Sequence, residues 1–139
     1  MVRNYAFVDH GMYLSNETLQ TLARTVCGIS EEEWKEDKYA AIEEVHEKLD
    51  NVIYAVGQFS GAVIPMAIDG ELLWGGEVEF DDDTVYFVPL SRQPNLITAA
   101  YQDIEEIVCE LKGKIGQYLP VNFDYRSNIC EVAGTYWCD

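Results

Sequence analysis

An α+β fold, with two to three helices packed on a mostly antiparallel sheet, is what the sequence predicts, and three observations carry that expectation. Hydrophobic residues make up 48% of the 139 positions, enough for a core in a chain of one-domain length. Apolar runs of strand length crowd the middle of the chain, separated by short turn signals. Helical periodicities flank them on both sides, and runs of strands with few helical crossovers favour an antiparallel sheet. The expected order is β-α-α-β-β-β-β-α-β-β, in a single compact domain spanning residues 1–139.

The elements follow in order. Tyr5, Ala6, Phe7 and Val8 form a first strand, and Asp9, His10 and Gly11 are expected to turn the chain. Ser15 is placed to cap a helix carrying Leu19, Leu22 and Val26 at helical spacing, with Gly28 as its stop. Ser30 and Glu33 have capping-box spacing, and the helix they start is expected to run to about Asp50. Trp34, Ala41, Ile42, Val45 and Leu49 are its buried stripe. Residues 52–59 and 62–68 read as central strands. Asp69-Gly70 is a two-residue hairpin signal, and residues 72–80 return from it, with Gly75-Gly76 marking a bulge. Residues 84–90 form the next strand. Asn95 is then expected to cap a long helix with Ile97, Tyr101, Ile104, Val108, Leu111 and Ile115 along one face, closed by Pro120. Residues 121–125 and 129–137 read as a final hairpin.

Charge is the outlying property. Twenty-five Asp and Glu oppose nine Lys and Arg, for a formal net charge of −16. Such a field repels phosphate, so neither nucleic acid nor an anionic membrane surface is an expected direct partner. A basic protein surface would instead be attracted and steered. Residues 1–9 contain one Arg and no apolar run of signal-peptide type. No stretch approaches the roughly 18 apolar residues of a membrane span. A cytoplasmic location is the expectation.

Motifs that carry chemistry are weak. Glu43-x-x-His46 places both side chains on one helix face, but di-iron bundles need a second such motif and further Glu ligands. A surface histidine in a charged helix is the plainer reading. Three or four spaced His and Cys ligands for zinc are missing, so no metal is expected. Cys27, Cys109, Cys130 and Cys138 form no C-x-x-C pair and read as reduced structural thiols. A bridge between Cys130 and Cys138 would require close backbones. His10 with Ser15 or Cys27 is a triad only on paper, with no nucleophile elbow. Asp81-Asp82-Asp83 lacks the alternation of a calcium loop and reads as a solvated turn. Gly57, Gly61, Gly70, Gly75 and Gly76 match no phosphate-binding fingerprint, and no cofactor is expected.

The acidity is clustered. Residues 31–50 hold nine acids against three lysines, and residues 69–83 hold seven acids and no base. Asp103, Glu105, Glu106 and Glu110 form a third group. Part of the first cluster has a local reason, because Glu31, Glu32 and Glu33 sit where a helix dipole favours anions. The candidate partner-binding residues are Glu36, Glu43, Glu44 and Glu47 on the second helix, with Asp69, Glu71, Glu77, Glu79, Asp81, Asp82 and Asp83 on the hairpin. Glu77, Glu79 and Asp81 alternate with Val78 and Phe80, so on a strand they share one face at steps of about 6.6 Å. Rows of carboxylates at such spacing imitate a phosphate track.

This small, acidic, motif-free character is similar to that of nucleic-acid mimics carried by phages and mobile elements. The resemblance implies a non-enzymatic inhibitor of anti-restriction or anti-CRISPR type that occupies a basic groove on a nucleic-acid-processing protein. Trp34 or Trp74 would anchor such a contact if exposed, although core burial is the plainer reading for both. Plain solubility or salt adaptation also accounts for acidity. The alternatives are a self-associating structural or regulatory module and a small hydrolase using carboxylates.

Overall fold

The computed structural model describes residues 3–57, 60–65, 67–68, 71–72, 84–90 and 104–138. The fold is α+β. Its elements are β1 (Arg3–Tyr13), α1 (Asn16–Cys27), α2 (Glu31–Glu36), α3 (Lys38–Lys48), β2 (Tyr54–Val56), β3 (Ser60–Pro65), β4 (Ala67–Ile68), β5 (Glu71–Leu72), β6 (Val85–Pro89), α4 (Ile104–Ile115) and β7 (Ile129–Cys138). Two short 3₁₀ turns, Gly116–Tyr118 and Arg126–Asn128, link α4 to β7.

The main sheet is antiparallel and has the order β2-β6-β1-β7-β3. β1 is central. It pairs with β7 from Arg3↔Cys138 to Met12↔Ile129, and with β6 from Gly11↔Pro89 to Tyr13↔Phe87. β4 and β5 form a separate two-stranded ladder with Ile68 opposite Glu71. The hairpin turn expected at Asp69-Gly70 lies outside the described residues, as do residues 73–80.

Residues expected to turn the chain at Asp9, His10 and Gly11 instead continue β1. Gly11 is there because two backbones meet. A Cβ at this position would stand 2.0 Å from the Val88 carbonyl oxygen. The glycine therefore permits close strand approach rather than a turn.

Strand alternation divides the core. Met12, Leu14, Val88 and Ile129 face the helices and join Leu19, Leu22, Trp34, Ile42, Val45, Ile107, Leu111 and Ile115 in one buried cluster. Tyr13, Val63, Val85, Phe87, Cys130 and Val132 form a second buried cluster on the opposite face. The stripe expected on the second helix is buried at every position, Trp34, Ala41, Ile42, Val45 and Leu49. α4 shares cover of the sheet with the other helices, and the segment from Asn95 to Tyr101 lies outside the described residues.

The helix caps follow from residue chemistry. The Ser15 hydroxyl accepts from the Thr18 amide at 3.2 Å and starts α1. Gly28, at φ 68°, ends it, while the Ile29 amide donates back to the Ala23 carbonyl at 3.0 Å. Ser30 and Glu33 form the reciprocal capping box, with contacts of 3.1 and 3.2 Å.

Two elements differ from expectation. The helix expected from Ser30 to Asp50 is broken at Asp37, whose φ of −153° and ψ of 87° are not helical. Its carboxylate accepts from the Ala40 amide at 3.1 Å and caps α3, while its own amide donates to the Glu33 carbonyl and closes α2. Residues 121–125, expected as a strand, are turn and coil leading into the second 3₁₀ turn. Asp124 and Ser127 organise that turn locally, with the Ser127 amide donating to the Asp124 carboxylate at 3.1 Å. Among the described residues, no helix is long and apolar enough to cross a membrane.

Candidate functional site

The acid-rich segment from Glu31 to Asp50 divides by the work each carboxylate does. Glu33 closes the capping box and Asp37 caps α3. Glu31 pairs with Lys35 at 3.5 Å, both side chains 72% exposed. An exposed pair of this kind supplies only about 0.3–0.5 kcal/mol. Glu32, Glu36, Glu43, Glu44, Glu47 and Asp50 have no such structural task and are exposed.

Their directions come from their neighbours. Burial raises the Tyr86 phenol, and the Glu43 carboxylate raises it further. Glu43 is therefore within electrostatic reach of Tyr86 on β6. Burial also raises the Cys27 thiol, with Glu44 adding to the rise and Lys48 opposing it. Glu44 is therefore within electrostatic reach of Cys27 at the end of α1. Consecutive helical residues diverge by about 100°, so Glu43 and Glu44 flank α3 rather than share one line. Glu47 follows Glu43 at i+4 and continues its stripe. Glu36 belongs to α2, across the break at Asp37.

Glu71 lies in β5, opposite Ile68. Asp69, Glu77, Glu79, Asp81, Asp82 and Asp83 lie outside the described residues. Glu43, Glu44 and Glu47 thus lie on α3, with Glu43 and Glu44 about 100° apart around its axis, and Glu36 lies on the preceding helix. Trp34 is 8% exposed and belongs to the helix-side core, so it offers no surface anchor. Trp74 lies outside the described residues.

The two histidines have structural neighbours. His46 meets the Tyr86 ring edge-on, with centroids 6.0 Å apart. Of the Glu43-x-x-His46 pair, the histidine thus packs against a tyrosine, while Glu43 is exposed. Among the described residues, no group of three or more His, Cys, Asp or Glu is arranged to hold a metal ion. His10 is buried in β1, and its Nε2 lies 3.2 Å from Glu131 Oε2 on β7. Of the residues that could join it in a triad, Ser15 is engaged as the α1 cap and Cys27 lies near Glu44 and Lys48. The His10–Glu131 pair is made by the sheet and not by local sequence. Its members are 121 residues apart, and no local motif announces them.

Cys27 and Cys109 are free thiols, and Cys130 is buried. Cys130 and Cys138 both lie on β7. Eight strand steps separate them by roughly 26 Å, far beyond disulfide reach.

Two open depressions mark the described surface. One, of about 430 Å3, is lined by Ile104, Glu105, Val108, Cys109, Lys112 and Arg126. The other, of about 370 Å3, sits at the α2–α3 break between Trp34 and Tyr39. Chemically, the exposed helical carboxylates repel anions and attract cationic surfaces.

Set against protein-family models, curated proteins and solved structures, the chain matches none.

Proposed function

We propose that this protein is a non-enzymatic acidic binding protein, a nucleic-acid mimic of the phage or mobile-element type. It occupies a basic groove on a nucleic-acid-processing enzyme. The observation that carries the reading is the net charge of −16, expressed on α2 and α3 as exposed Glu36, Glu43, Glu44 and Glu47. Side chains at i and i+4, as at Glu43 and Glu47, leave the helix from Cβ atoms about 5–6 Å apart. Phosphates on one DNA strand advance 3.4 Å along the axis and farther along the backbone path. A lysine- or arginine-lined channel therefore meets anions at comparable intervals on either ligand. The base-free segment 69–83, which includes Glu77, Glu79 and Asp81, adds seven acids to the proposed contact.

Binding of this kind is fast and weakens steeply with salt. The test begins with capture from native lysate at low salt and elution in a salt gradient. The expected partner is a nucleic-acid-binding enzyme, released at moderate salt and displaced by its own nucleic acid. Glu43→Lys with Glu47→Lys, and separately Glu77→Lys with Glu79→Lys and Asp81→Lys, should each lower affinity by about tenfold or more. Circular dichroism and a melting curve would verify that the variants fold. A partner retained at high salt, or one not displaced by nucleic acid, would exclude the mimic.

A further inference from the structure

We draw no further inference here: the strongest candidate, the open depression of about 370 Å3 at the α2–α3 break lined by Trp34, Lys35, Glu36, Asp37, Lys38 and Tyr39, carries nothing because its two lysines balance its two carboxylates, Lys38 already stands over the Tyr39 ring at 5.4 Å, and nothing in the structure shows what covers it.

Discussion

Gly11 and Asp124 show how much one residue decides through its immediate neighbours. At Gly11 the strands are so close that a methyl group would meet the Val88 carbonyl carbon at 2.8 Å and its oxygen at 2.0 Å. Backbone cannot swing aside as a flexible side chain does, so Gly11→Ala should destabilise the protein by about 3 kcal/mol or more. Urea unfolding measures this, and a loss below about 1 kcal/mol would show that the β1–β6 approach relaxes easily. Asp124 accepts hydrogen bonds from the Ser127 hydroxyl and amide, and both hold its carboxyl below the ordinary value of 3.8, with Arg126 assisting against a small opposing effect of burial. The folded state thus binds this proton less tightly than the unfolded chain. The associated stability is present above 3.8 and is lost as pH falls through the lower folded value. Ser127→Ala should move the Asp124 titration upward, part of the way to its ordinary value, since the amide remains. Carboxyl NMR reads it directly, and an unmoved titration would remove the hydroxyl as the principal cause.

The break between α2 and α3 is the element-scale result with most bearing on function. Trp34, Ala41, Ile42, Val45 and Leu49 keep helical spacing across it, so the apolar pattern reads as one helix. Asp37 overrides that pattern by serving two ends at once, closing α2 with its amide and opening α3 with its carboxylate. The consequence is that Glu36 and Glu43 do not ride on one axis. Asp37→Ala should cost about 1 kcal/mol, whereas Asp37→Asn should cost much less because an amide oxygen also caps. Thermal denaturation of the two variants distinguishes a capping role from a purely electrostatic one, since equal losses would point to charge. The other caps were legible from residue type alone. Ser15, Gly28, Ser30 and Glu33 act within a few residues of themselves, so local sequence contains the whole interaction.

At the scale of the whole molecule, 25 acids against nine bases imply self-repulsion in the compact state. Raising salt from about 0.1 M to 1 M shortens the screening length from about 10 Å to about 3 Å. The melting temperature should therefore rise with sodium chloride over that range. A flat or falling curve would show that the carboxylates are spread widely enough not to oppose folding, and would weaken the case for a concentrated acidic face. The same experiment separates two origins of stability, because the buried clusters around Val88 and Phe87 depend little on screening. His10 and Glu131 also belong to this scale. Only the alignment of β1 with β7 sets them opposite each other, and no window of sequence contains both.

The α+β class, the acidity, the caps and the apolar stripes of the helices could all be read along the chain. Each of these rests on composition or on contacts within a turn or two of chain. Tertiary structure decided the rest. β2 and β3 are consecutive in the chain yet occupy opposite edges of the sheet, because their partners β6 and β7 come later and flank β1 on either side. Periodicity shows that a segment is a strand, but not which distant strand completes its hydrogen bonds. The acidic residues obey the same limit. Their number and spacing along the chain are local facts, whereas the approach of Glu43 to Tyr86 and of Glu44 to Cys27 exists only once α3 has packed into the helix-side core and set His46 against the Tyr86 ring.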